Sequence, residues 1–85
     1  MNRRKLLARL AQGAVNNVAF GDIVSLAKGF GFVLSRISGA HHILTHPQLR
    51  ELLNLQSVGG KAKPYQIRQL LRLVELYNLV LEEDA

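Results

Sequence analysis

A glycine turn between two strand-like segments constrains the fold of this chain most strongly. Residues 32–38 contain β-branched and aromatic side chains that favour extended backbone. Gly39-Ala40 follows as a two-residue loop, and glycine at the first loop position suits a type II′ turn. Residues 41–46 read as the return strand, which Pro47 ends because proline cannot donate a ladder hydrogen bond. The sequence therefore predicts an antiparallel hairpin.

Apolar periodicity predicts three helices around this hairpin. Apolar residues recur at the 3.6-residue period in residues 2–12 and 20–28, and a glycine follows each segment. Pro64 suits the first turn of a last helix, where its missing N–H leaves no hydrogen bond unmade. One face of this helix carries five large side chains, namely Ile67, Leu70, Leu71, Val74 and Tyr77.

A third strand and a basic loop complete the expected order. Residues 52–56 are predicted to form the strand, although residues 49–53 would also suit the start of a short helix. Residues 59–63, Gly-Gly-Lys-Ala-Lys, are expected to form a flexible basic loop. The prediction is an α+β fold with a three-stranded antiparallel sheet packed on two helices, plus an extra N-terminal helix. We expect residues 1–85 to form a single domain, because two halves would each be too small to bury a core.

The charge distribution points to a polyanionic partner. The formal net charge is +5, but three of the six acidic residues lie in the last four positions. The first 81 residues carry 11 basic side chains against three acidic ones, a net charge of +8. Nucleic acid is the usual partner of so basic a small domain, and a solvated basic surface without a partner is the alternative. Because cysteine is absent and no apolar run approaches the roughly 20 residues that span a bilayer, we expect a cytoplasmic protein with no membrane segment.

The hairpin register predicts which side chains share a face of the sheet. With a two-residue loop, His41 lies on one face and His42 on the other. The partner strand then contributes Leu34 and Arg36 to the face of His41, and Ser35 to the face of His42. Both faces are half apolar, so alternation alone does not determine which of them meets the helices.

All three histidines of the chain lie within positions 41–46. An unperturbed pKa of about 6.5 allows imidazole to take up and release a proton near neutrality. His42 and His46 would share a face, but four residues of strand separate them by about 13 Å, too far for a common metal ion. The sequence therefore predicts no metal site. Two readings stay open, an acid–base catalyst just after the tight turn and three ordinary polar strand residues.

The Gly-Gly-Lys-Ala-Lys segment is a second candidate site. Its glycines allow close approach of the backbone, Lys61 and Lys63 supply positive charge, and the following helix start favours anions. The segment lacks the spacing and the Lys-Ser/Thr pair of a P-loop, and a basic linker is the alternative. A helix-turn-helix over residues 49–80 fits poorly, because this segment is long for its turn and no recognition helix concentrates the basic residues.

The motif residues resemble those of a known family. The run Gly39-Ala40-His41-His42-Ile43, with Gly31-Phe32 before it and His46-Pro47 after it, resembles the core of the HicA toxins of bacterial toxin–antitoxin systems. Residues 53–56 and 60–68 resemble the branch of that family with a longer last helix. The resemblance spans roughly residues 5–80 and implies a double-stranded-RNA-binding-like fold of helix, three strands and helix.

The resemblance also implies a function. HicA toxins are ribonucleases that cleave mRNA, and a HicB antitoxin encoded beside each toxin neutralises it. The family's catalytic histidine follows a Gly-Ser pair and corresponds to His41, which we expect to take the 2′-hydroxyl proton or to protonate the leaving oxygen without a metal or other cofactor. The expected RNA-binding residues are Gly39, Lys61, Lys63 and Arg68.

One departure from the family pattern keeps other functions open. Ala40 stands where the family usually has serine, so a hydroxyl beside the expected base is missing. A non-catalytic RNA-binding module of the same fold is therefore an alternative. A third possibility is a protein whose helices mainly hold the antitoxin.

Overall fold

A computed structural model describes residues 2–82 of the chain as three helices and a four-stranded antiparallel sheet. In chain order the elements are α1 (Arg3–Ala11), α2 (Phe20–Gly29), β1 (Val33–Ser38), β2 (His41–Thr45), β3 (Leu53–Val58), β4 (Lys61–Ala62) and α3 (Pro64–Leu76). The predicted α+β class, the three helices and the hairpin are confirmed, but the predicted three-stranded sheet was wrong, because β4 adds a fourth strand. Within residues 2–82, none of the helices has the length and hydropathy that a bilayer span requires.

Local signals explain where the helices begin and end. The Asn2 side chain accepts a hydrogen bond from the Lys5 amide at 2.7 Å and caps α1. Gly13, with a φ of +95°, lies just beyond the end of this helix. Pro64 occupies the first turn of α3, as its fixed φ and missing N–H favour.

The hairpin closes through Gly39-Ala40 as predicted. Ser38 pairs with His41, and Gly39 has a φ of +59°, which suits the first central position of a type II′ turn. A Cβ built on Gly39 has no atom within 4 Å. The backbone conformation, rather than lack of space, therefore makes glycine favourable here.

A β-bulge at Ser35 corrects the predicted face assignment. Arg36 pairs with Ile43 as expected, but Leu34 pairs with Leu44, so β1 contains one extra residue. Leu34 consequently lies on the face of His42, and its predicted place beside His41 was wrong. The bulge directs the partly buried Leu34 toward the core and leaves Ser35 exposed.

Residues 59–63 are not the flexible loop that the sequence predicted. Lys61 and Ala62 form β4, which pairs with the end of β3 after a turn in which Gly59 and Gly60 both have positive φ. On its other side, Ala62 donates to the carbonyl of Val18 at 2.9 Å. Sheet hydrogen bonds on two sides therefore fix the segment. β3 itself extends to Val58, and the alternative helix at residues 49–53 does not form.

The core lies between the sheet and the helices. Its largest fully buried members are Leu10, Ile23, Leu26, Leu44, Leu53, Leu55, Ile67 and Leu70. Leu44 and Leu55 share the sheet face of His42. This face therefore meets the helices, and the face of His41 is the open one.

Candidate active site

Both tight turns of the sheet lie at the same end. β2 begins at His41, directly opposite Gln56 near the end of β3. The Ser57 amide donates to the carbonyl of Ala40 at 3.1 Å, and β4 begins three residues after Val58. The antiparallel order therefore brings the first residue of β2 and the first residue of β4, Lys61, to one end of the sheet.

His41 is half-buried on the open face at this end. Its Nδ1 atom lies 3.1 Å from Oδ1 of Asn54, an exposed residue of β3. Asn54 precedes Gln56 by two positions, so it is the diagonal cross-strand neighbour of His41 on the same face. The Nε2 atom of His41 makes no hydrogen bond with any residue of 2–82.

His42 has a different environment on the helix-facing side. Its ring packs edge-on against Phe20 with the centroids 4.8 Å apart. Its Nδ1 atom is buried and has no hydrogen-bond partner among the described residues. This packing between the sheet and α2 directs His42 away from the open face.

His46 is buried, and its ring joins two backbone segments by hydrogen bonds. Its Nδ1 accepts a hydrogen bond from the Gln48 amide at 3.1 Å, so the neutral ring carries its proton on Nε2, which donates to the carbonyl of Phe30 at 3.1 Å. A Cβ on Gly31 would lie 2.8 Å from Nε2, so glycine makes room for the ring. Both nitrogens of His46 are thus used inside the protein. Within residues 2–82, no group of three metal-ligating side chains could hold an ion.

The two predicted lysines flank a buried residue of the short strand. Ala62 is buried, so Lys61 and Lys63 on either side of it are directed away from the core. Lys61 lines a cleft of about 210 Å³ together with Arg9 and Asp22. Lys63 precedes α3, and its Nζ lies 5.9 Å from the ring centroid of Tyr65.

The remaining predicted RNA-binding residues occupy separate positions. Gly39 lies in the exposed turn beside His41. Arg68 is exposed on α3 and makes no hydrogen bond or ion pair with residues 2–82. The structure therefore brings Gly39, His41 and Lys61 to one end of the sheet, and Arg68 makes no hydrogen bond to any of them.

Two residues near His41 were missed by the sequence analysis. Asn54 contacts the His41 ring directly, but this contact follows only from the pairing register of β2 and β3. The second is Gln66, a buried residue of α3 whose Oε1 accepts from the Gln56 amide at 2.7 Å. Because β4 ends at Ala62, no strand residue accepts from the Gln56 amide on that side of β3. The Gln66 side chain supplies the missing acceptor.

Comparison with known proteins gives one result. A sequence model of the family described as the HicA toxin of bacterial toxin–antitoxin systems matches residues 20–76. No curated protein and no solved structure matches the chain. The matched segment runs from the first residue of α2 to the last residue of α3 and covers more than half of the chain. This protein therefore belongs to the HicA toxin family.

Proposed function

We propose that this toxin is an endoribonuclease that cleaves mRNA with His41 as its acid–base group and without a metal ion. The observation that carries the proposal is the position of His41 on the open sheet face beside the turn, with Nε2 making no hydrogen bond to residues 2–82. His42 and His46 have their rings packed inside the protein. His41 is therefore the histidine best placed to meet a large substrate.

The proposed chemistry uses the nucleophile that RNA supplies. The 2′-hydroxyl oxygen attacks the adjacent phosphorus while His41 takes its proton. The bond from phosphorus to the 5′-oxygen breaks, and that oxygen takes up a proton from water to leave as a hydroxyl. The His41 imidazolium then releases its proton to solvent, which restores the neutral ring. The products are a 2′,3′-cyclic phosphate and a free 5′-hydroxyl. Positive charge near the phosphate stabilises the transition state.

The proposed RNA-binding surface surrounds His41 at the turn end of the sheet. The open space around Gly39 allows the RNA backbone to approach closely. Lys61 and Lys63 face away from the core and supply the charge that holds phosphates. Arg68 extends this charge along the exposed side of α3.

The family membership supports further parts of the proposal. We infer a double-stranded-RNA-binding-like arrangement of α2, β1 to β3 and α3, within one HicA-like domain over residues 1–85. A HicB-like antitoxin is the expected protein partner, the cytoplasm is the expected location, and no cofactor is required. The net charge of +5 suits both an RNA substrate and an acidic protein partner.

Ala40 favours a second candidate function, RNA binding without cleavage. The residue is exposed beside His41, its methyl side chain supplies no hydroxyl, and its carbonyl accepts from the Ser57 amide. A protein limited to binding would retain RNA in a salt-sensitive manner and yield no products.

The test is incubation of the purified protein with mRNA in excess EDTA, with analysis of the product ends. We expect cleavage to persist and to leave 2′,3′-cyclic phosphates. Loss of cleavage in EDTA would contradict the metal-free mechanism. Bound but intact RNA, with or without added divalent metal, would establish the second candidate function instead.

A further inference from the structure

The hydrogen bond between His41 and Asn54 has a chemical consequence for the proposed base. We propose that Asn54 is the positioning residue of this site, and that its side-chain oxygen holds the His41 ring in the tautomer whose free nitrogen is Nε2. This inference rests on the proposed role of His41. It adds the residue whose hydrogen bond leaves the lone pair on Nε2 of His41 available to the substrate.

The polarity of the contact determines the tautomer. Oδ1 of Asn54 lies 3.1 Å from Nδ1 of His41, and a carboxamide oxygen only accepts hydrogen bonds. Nδ1 must therefore carry the proton of the neutral ring. The second nitrogen, Nε2, then holds the lone pair and makes no hydrogen bond within residues 2–82.

A neutral acceptor suits both halves of a proton-transfer cycle. Nδ1 keeps its proton when His41 is neutral and when it is an imidazolium, so the bond to Asn54 persists while Nε2 gains and loses a proton. A carboxylate at position 54 would instead favour the charged ring and leave a smaller fraction of neutral ring to accept a proton. The amide therefore orients the ring without adding a negative charge beside the RNA phosphates.

The backbone of Asn54 is firmly held. Leu53 and Leu55, its two neighbours in β3, are both fully buried in the core. The opposite strand pairs Ile43 with Asn54 and His41 with Gln56. The exposed amide thus extends from a rigid strand, which is what precise orientation of a catalytic ring requires.

The other histidines lack this arrangement. The amide of Gln48 fixes His46 in the opposite tautomer, and its Nε2 donates to Phe30 inside the protein. His42 has its Nδ1 buried without a partner in residues 2–82. Of the three, His41 combines a fixed Nδ1–H with an unbonded Nε2.

The experiment compares Asn54→Leu, Asn54→Asp and the control Gln69→Leu, which removes an exposed amide from α3. Nitrogen NMR of the His41 ring reports the tautomer in the free protein, and steady-state cleavage kinetics reports kcat and KM. We expect Asn54→Leu to lose the Nδ1–H preference and to lower kcat about 10-fold, the equivalent of one neutral hydrogen bond, with KM unchanged. Asn54→Asp should keep the tautomer and move the acid limb of the pH–rate profile to higher pH.

An unchanged tautomer or an unchanged kcat in Asn54→Leu, with the control behaving as wild type, would overturn the inference. A fall in kcat without a change of tautomer would also overturn it, because a merely structural role produces that result. If the wild-type protein cleaves no RNA, the proposed function and the catalytic importance of Asn54 fail together. The NMR measurement would still show separately whether Asn54 orients the ring.

Discussion

At the scale of single residues, the turn before His41 depends on the backbone conformation of Gly39. Gly39→Ala places a Cβ at a φ of +59° in open space, so strain is its main effect. We expect a loss of about 1–2 kcal/mol in the free energy of unfolding, measured by urea denaturation. Gly21→Ala is the matched control, because this exposed glycine of α2 has no positive φ and no atom near its Cβ. The control should gain about 0.5 kcal/mol, and equal losses in both variants would contradict the explanation.

A substitution at Ala40 tests whether the missing hydroxyl limits the rate of RNA cleavage. Ala40→Ser restores the family's usual residue at an exposed turn position, so the fold should tolerate it. We expect cleavage to rise about 5-fold, since a neutral hydrogen bond to the ring or the phosphate contributes about 1 kcal/mol. Single-turnover cleavage by the two proteins measures the change. A Ser variant with unchanged activity would show that the hydroxyl has no part in the reaction here.

At the scale of secondary-structure elements, the Gln66 side chain connects α3 to the strand opposite His41. Gln66→Leu keeps the volume but leaves the Gln56 amide without its acceptor. We expect a loss of about 1 kcal/mol in the free energy of unfolding, the lower end of the penalty for an unsatisfied donor, because Gln56 is only partly buried. The exposed Gln69→Leu on the same helix should be nearly neutral. Similar values for the two variants in urea denaturation would refute the proposed role of Gln66.

The end of α3 is attached to the loop before β3 by a pH-dependent contact. The Tyr77 hydroxyl donates to the Glu51 carboxylate, with oxygen distances of 2.6 and 2.8 Å, and this bond lowers the pKa of Glu51 below 4.5. The same bond raises the pKa of Tyr77 above 10. The stabilisation is therefore present between these ordinary values and disappears as pH falls through the lowered pKa of Glu51 or rises through the raised pKa of Tyr77.

Tyr77→Phe should remove this dependence. Urea denaturation at pH 7 and at about pH 2 should show a larger difference from wild type at the higher pH. Tyr65→Phe is the control, because Tyr65 has no contact with Glu51 among the described residues. A difference between wild type and Tyr77→Phe that is the same at both pH values would contradict the assignment.

At the scale of the whole molecule, the basic charge should govern RNA affinity. Lys61→Ala should weaken binding at low salt and reduce the slope of log K against log salt by about 0.7, the value for one phosphate contact on single-stranded RNA. Lys28→Ala is the matched control, since Lys28 is exposed in the last turn of α2, away from the turn end of the sheet. Filter binding from low to high salt measures both slopes. Equal slopes for the two variants would exclude Lys61 from the RNA-binding surface.

The sequence predicted the helices and the hairpin because their signals are local. Pro64 and Gly39 restrict the backbone at their own positions, whatever the rest of the chain does. The bulge at Ser35 could not be predicted from the local sequence, because it results from the packing of Leu34 against core residues that are distant in the chain. The two-residue strand β4 could not be predicted either, because its hydrogen-bond partners come from β3 and from the segment before α2.

The candidate site was predictable only in part for the same reason. The motif singled out His41, but its hairpin has two half-apolar faces, and only the buried leucines of the assembled core show which face is open. Asn54 reads as one polar residue between two leucines until the register of β3 places it diagonally opposite the ring. Contacts between distant strands thus carry the information that the sequence alone did not reveal.

Direct comparison of wild type with His41→Ala, in single-turnover cleavage of RNA in excess EDTA, tests the central claim. Circular dichroism of both proteins establishes that the variant is folded, as expected for a half-buried residue on the open face. We expect the rate constant to fall by about 10²–10⁴-fold, the usual contribution of a general acid or base, while RNA binding persists. Equal rates for the two folded proteins would contradict the assignment of His41 as the catalytic residue.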